Sequence, residues 1–278
     1  MAFVFPGAGA LDYAACSYGG SRLLFRGPRR DTERAFVAVL GGSETYGKYV
    51  RAPSPDVLER ELDLPVANLG VMNAGLDVFL NDPAIVQLAA RAAVAVVQIC
   101  GAQNNSNRYY SVHPRRNDRF LAATPALRAL YPGMDFTEFH FTRHLLHALQ
   151  FQSADRFALI AVELRRVWLA RMRQILGQLT CPKLVLWVSD TPPSAQSDDL
   201  FQNPMLIDSQ MVADIARHAG AVVQAIASPE ARVMGLEGMG FSPAELPAAA
   251  GALGPYVHRE ICDVLHPALE RLISGRSL

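Results

Sequence analysis

Two short segments, far apart in the chain, hold the residue types of a charge-assisted nucleophile. Gly41-Gly42-Ser43-Glu44-Thr45 follows the apolar run Ala35–Leu40. The two glycines permit a sharp turn, so the spacing places Ser43 at the carboxyl end of a strand. Near the other end, Asp263-Val264-Leu265-His266-Pro267 sets a carboxylate three residues before an imidazole. Proline disfavours helical geometry in the residue before it and suits the first turn of a helix. The pattern therefore predicts Asp263–His266 as a turn and Pro267–Ile273 as a helix. A serine hydroxyl attacks an acyl carbon once a base removes its proton, and a carboxylate fixes the tautomer of that base. The plainer reading of the same residues is a turn serine, a capping aspartate and a surface histidine.

Acyl transfer also needs donors aimed at the developing oxyanion, and losing one typically slows such reactions by about 10²–10³-fold. Two further segments offer them. Asn68-Leu69-Gly70 and Cys100-Gly101-Ala102-Gln103-Asn104-Asn105 each close a strand-like run with a glycine or an amide side chain.

The elements that must position these groups read as alternating strands and helices. Strands are expected at Phe36–Leu40, Val66–Leu69, Ala93–Cys100, Lys183–Ser189 and Ala221–Ile226. The third and fourth are almost continuously apolar, as in a parallel sheet covered on both faces. Helices are expected at Pro55–Glu61, Pro83–Ala92, Ala154–Leu179 and Ile207–Ala219, besides Pro267–Ile273. This alternation predicts a doubly wound α/β sheet in one domain spanning 1–278. Thr191–Pro204, with its prolines and polar residues, reads as a surface loop. Asn104–Gln150 is long for a connection and reads as a helical insertion over the sheet's carboxyl edge, a possible lid where such sheets bind ligands.

Composition narrows the function classes. The 278 residues are 50% hydrophobic and 19% charged, with 26 Lys+Arg against 26 Asp+Glu. A neutral chain offers no general electrostatic footprint for nucleic acid. No apolar run approaches the ~20 residues of a membrane helix. Cys16, Cys100, Cys181 and Cys262 form no C-x-x-C pair, and no basic residue precedes Arg22. A reduced, cytoplasmic protein without membrane or nucleic-acid partners is the expectation.

The order Gly-x-Ser, Gly, Asn, Asp-x-x-His, running from Gly41 to Pro267, resembles the SGNH (GDSL-type) hydrolase superfamily. The resemblance implies a three-layer α/β/α sandwich on a flavodoxin-like, five-stranded parallel sheet. It also implies Ser43 as nucleophile, His266 as base and Asp263 as its orienter. The Ser43 and Gly70 N–H groups, with the amide of Asn104 or Gln103, would form the oxyanion hole. Two departures stand out. The family's Gly-Asp-Ser is Gly-Gly-Ser here, and the third block holds Gln103 where asparagine is usual, followed by Asn104 and Asn105.

Other clusters compete for attention. Arg115 and Arg116, near Tyr109 and Tyr110, suit an anionic or carbohydrate-linked substrate. Basic residues also cluster at Arg26–Arg30; the helix group Arg165, Arg166, Arg171 and Arg173 reads as a solvated face, and Trp168 and Trp187 as core. His140, His144 and His147 are a weak metal pattern, or a lid histidine, His144, touching substrate. The reading these residues favour is ester hydrolysis on a small-molecule or carbohydrate substrate, with no metal or organic cofactor. An O-acyltransferase using the same residues is the near alternative. A non-catalytic anion- or carbohydrate-binding module on the same fold is the other.

Overall fold

The computed structural model describes residues 9–196 and 198–275. Five strands, β1 (Val37–Gly41), β2 (Val66–Gly70), β3 (Val94–Gln98), β6 (Lys183–Ser189) and β7 (Ala221–Ile226), form a sheet in the order β2-β1-β3-β6-β7. All four pairings are parallel. The side-chain alternation of each strand separates two cores. Val37, Val39, Val94, Val96, Leu184 and Leu186 face one helical layer, in which Leu58, Val257, Ile261, Leu265 and Leu269 are buried. Ala38, Leu40, Ala95, Val97, Val185 and Trp187 face the other, built on the helices Pro83–Ala90, Ala154–Gln178 and Ser209–Ala216. The result is a three-layer α/β/α sandwich with flavodoxin-like strand order.

The insertion after β3 differs in kind from the helical segment expected. It contains an antiparallel hairpin, β4 (Tyr110–His113) and β5 (Arg116–Ala123), ahead of the helix Thr142–Gln152. The hairpin and the helix both reach the carboxyl edge of the sheet.

The C-terminal helix overturns a second expectation. It runs from Pro255 to Ile273, so Pro267 lies inside it rather than at its start. Val257, Ile261, Leu265 and Leu269 recur every four residues and are all buried. That apolar stripe outweighs the proline, whose ring is exposed on the outer face. An interior proline still removes one helix hydrogen bond and crowds the preceding turn. Pro267→Ala is therefore expected to stabilise the protein by about 1–3 kcal/mol, seen as a rise in urea midpoint at unchanged slope.

Candidate active site and binding cleft

In a sheet of this order, β1 connects outward to β2 while β3 connects towards β6. The loops leaving their carboxyl ends part and open a crevice. Ser43 opens the short helix Ser43–Tyr46 at that point. A Cβ at Gly41 would lie 2.1 Å from Thr45 Oγ1 and 2.4 Å from Gln98 Oε1, so only glycine fits beneath the turn. Gln98, 2% exposed, holds the turn from β3. Its Oε1 accepts from Gly42 N–H at 3.0 Å, Thr45 N–H at 3.2 Å and Thr45 Oγ1 at 2.6 Å. Its Nε2 donates to Glu44 Oε2 at 2.7 Å. The Ser43 N–H makes no hydrogen bond among the described residues, and Ser43 lines the crevice.

The Ser43 hydroxyl meets an amide where a triad would place an imidazole. Ser43 Oγ donates to Asn73 Oδ1 at 3.1 Å and accepts from the Asn73 backbone N–H at 2.9 Å. Asn73, at φ +52°, donates through Nδ2 to Asp118 Oδ2 at 3.2 Å. The chain Ser43–Asn73–Asp118 mimics the layout of a triad. Its central member, an amide, has no nitrogen able to take up a proton near neutrality.

Asp263 and His266 lie elsewhere. Both are in the body of the C-terminal helix, where Asp263 pairs with Arg259 at 2.9 Å and His266 Nδ1 lies 3.8 Å from Glu270. The helix Ser54–Leu62 fixes their level. The Ser54 N–H donates to His258 Nδ1 at 3.1 Å at its start, and Cys262 Sγ donates to Glu61 Oε2 at 3.1 Å at its end. That end leads into the amino end of β2. His266 is eight residues beyond His258, about 12 Å along the axis at 1.5 Å per residue, and so away from the edge that carries Ser43. The segment that does enter the crevice ahead of this helix presents Gly251, with no ionisable side chain.

The expected oxyanion donors are partly spent. The Gly70 N–H donates to Asn68 Oδ1 at 3.0 Å. Asn105 is buried and braces the loop after β2, accepting from the N–H groups of Leu76 and Asp77. Asn104 lines the crevice; its Nδ2 donates to Asn73 O at 2.9 Å and its Oδ1 accepts from Thr142 Oγ1 at 2.6 Å. Gln103 also lines it, 8% exposed, with Oε1 unpartnered. The two loops touch so closely that a Cβ at Gly75 would lie 1.6 Å from Asn104 O.

The crevice is about 370 Å³ and polar, walled by Ser43, Glu44, Asn73, Gln103, Asn104 and Asn203. Glu44 Oε1 accepts from Asn203 Nδ2 at 3.3 Å. Cys100 closes the floor, and burial, with the Glu44 carboxylate, pushes its thiol pKa well up. With this geometry in view, the sequence comparison gives the family. The chain belongs to DUF6473, a domain of unknown function that matches residues 1–273. No curated protein matches it in sequence. Among solved structures it is similar to BT4096, described as a gut microbial diltiazem-metabolizing enzyme, with a TM-score of 0.39 and 14% identity. The match covers 87% of this chain and 48% of that one, so the chain spans about half the length of that protein. The neighbour is named an enzyme; at this level of similarity nothing of its activity transfers to the DUF6473 chain.

A second lobe of about 490 Å³ adjoins the first, sharing Asn73, Gln103, Asn104 and Arg143 with it. Asp118, Phe141, Thr142, His144 and His147 complete its wall. His144 meets Phe139 edge-on, and the His147 ring packs against Phe201. Burial and then Arg143 hold the His147 pKa below the ordinary imidazole value. No group of three or more metal-binding side chains occurs among the described residues; His140 precedes the helix that carries His144 and His147.

The other expected contacts fall outside the cleft. Tyr110 is fully buried and donates through its hydroxyl to Gln103 O at 2.6 Å, so it supports the cleft from behind. Tyr109 packs partly buried beside Arg108. Arg116 is exposed at the start of β5, and Arg115 lines a separate depression with Arg22 and Asn81. Arg143 is the cleft's cation, and sequence reasoning missed it. The signal available was its place between His140 and His147, in the segment read as a lid. No described helix is long and apolar enough to cross a membrane.

Proposed function

We propose that the cleft binds a small polyhydroxylated, carbohydrate-like molecule and holds it without forming a covalent bond. The observation that carries this reading is the partner of Ser43. Its hydroxyl lies against the Asn73 amide, and no imidazole among the described residues lines the lobe around it. The wall supports the same reading. Asparagine and glutamine amides both donate and accept, matching hydroxyl groups that do the same. Ser43 is then a hydrogen-bonding group of the site.

A second reading, SGNH-type ester hydrolysis or acyl transfer through Ser43, is favoured by one observation. Ser43, whose N–H makes no hydrogen bond among the described residues, and Asn104 line one crevice, as residues supplying oxyanion donors would. It needs a base, and among the described residues the imidazoles lining the cleft are His144 and His147, both in the adjoining lobe.

A fluorophosphonate probe separates the two. No adduct at Ser43 is expected, together with a saturable rise in Tm for at least one member of a panel of free mono- and disaccharides. An adduct that disappears in both Ser43→Ala and His144→Ala would establish the hydrolytic reading instead.

A further inference from the structure

We infer that the depression between Arg22 and Arg115, separate from the cleft, is a second binding site, and that it takes a small carboxylate with an apolar body. Three segments distant in sequence build it. The stretch ahead of β1 supplies Arg22 and Leu23, the corner between the helices Asp77–Leu80 and Pro83–Ala90 supplies Val78 and Pro83, and the tip of the β4–β5 hairpin supplies Pro114 and Arg115. The space they enclose is about 460 Å³, room for a substituted ring.

The lining divides into an apolar floor and a cationic rim. Leu23 and Val78 are buried and belong to the core beneath, and the exposed Pro83 and Pro114 extend the apolar surface outward. The Arg22 and Arg115 guanidinium groups make no hydrogen bond, ion pair or ring contact among the described residues. By contrast, Arg26 is tied to the Gly47, Val50 and Arg51 carbonyls, Arg30 to Asp56 and Glu59, and Arg171 to Asp77. The carboxylate that lines the depression, Asp82, is engaged as well: its Oδ2 accepts from Ser21 Oγ at 2.7 Å. Two uncompensated cations therefore share one space, and an anion between them relieves their repulsion. A guanidinium fork matches the two oxygens of a carboxylate. The floor decides the rest of the ligand: inorganic phosphate would use the arginines and leave the apolar surface in water, whereas a carboxylate on an aryl or short alkyl body covers it. Arg115, which the sequence places at an anionic substrate, meets an anion here, away from Ser43.

The probe is para-trifluoromethylbenzoate, followed by fluorine NMR with the full chain. Saturable line broadening is expected, with affinity weaker by about tenfold or more in Arg22→Gln and in Arg115→Gln. Arg271→Gln, at an exposed arginine of the C-terminal helix, should leave it unchanged. The uncharged para-trifluoromethylbenzyl alcohol and the small anion trifluoroacetate should each bind more weakly than the benzoate. No binding to wild type, or binding that survives intact in both arginine variants, overturns the inference. So does an alcohol that binds as tightly as the benzoate, which removes the arginines' part, or a trifluoroacetate that does, which removes the floor's. Should a glutamine variant lose its fold by circular dichroism, lysine at that position replaces it; it keeps the charge and loses the fork. Weaker binding is then expected, and unchanged binding overturns the inference.

Discussion

Gln98→Leu is expected to cost about 3–4 kcal/mol, because one side chain satisfies the whole turn that presents Ser43. The substitution leaves the Gly42 and Thr45 N–H groups and the Thr45 hydroxyl without their shared acceptor, in a place where Gln98 is 2% exposed. Each buried orphan costs about 1–3 kcal/mol; partial rearrangement of the turn keeps the sum below the simple total. In a chain of this size that corresponds to a Tm lower by roughly 5–7 °C. Ligand response in the cleft should fall with it, since Ser43 and Glu44 ride on the same turn. Gln98→Glu is the informative partner. It keeps the three accepted hydrogen bonds but sets a second carboxylate against Glu44, which now receives the Gln98 amide. Like charges so close disfavour double ionisation. The Glu variant should therefore recover stability relative to wild type as pH falls towards 5. Calorimetry at pH 7.5 and pH 5 checks both; a leucine variant within 1 kcal/mol of wild type would mean that the turn is held by something else.

The same residues show what the sequence made legible. The apolar runs mark all five strands of the sheet, and the bounds of β6 and β7 are those expected from Lys183–Ser189 and Ala221–Ile226. Buried parallel strands write a continuous signal. The hairpin β4–β5 writes a broken one: β4 is only four residues long, the exposed, half-buried and buried residues of β5 follow no clean alternation, and the pairing has register shifts. Ser43 was legible as a residue at a strand's carboxyl end because glycines and an apolar run mark the turn locally. Its partner was not. Asn73 reaches Ser43 through a left-handed backbone conformation, and Asp118 arrives from β5, 45 residues further on. The tail was misread for a local reason. Pro267 is a strong punctuation mark in a short window, while the stripe Val257, Ile261, Leu265, Leu269 that overrides it needs thirteen residues to be seen. Once that helix extends back to Pro255, Asp263 and His266 move about two and three turns down it and away from the edge that holds the serine.

One imidazole does approach the Ser43 loop, and its burial makes stability depend on pH. His258, in the first turn of the C-terminal helix, is fully buried, and its Nδ1 accepts from the Ser54 N–H. Its Cε1 lies 3.3 Å from the Cβ that a side chain at Gly47, the residue closing the Ser43 helix, would carry. Burial, and then the Arg26 guanidinium, lower the His258 pKa to about 3. The folded chain therefore keeps His258 neutral where the unfolded chain, titrating near 6.5, takes up a proton. The stabilising contribution is fully present above pH 6.5 and is lost as pH falls from there towards 3. The slope is about 1.4 kcal/mol per pH unit, and the total roughly 4–5 kcal/mol by the bottom of that window. His258→Asn keeps an acceptor near the Nδ1 position and cannot titrate. Urea unfolding at pH 7.5, 6, 5 and 4 should show wild type losing stability more steeply than the variant by about one proton's worth; parallel curves would sink the assignment. The same neutrality bears on chemistry. Protonating this ring would displace the Ser54 N–H from its acceptor, so His258 braces the base of the Ser43 loop and is unsuited to carrying a proton for it.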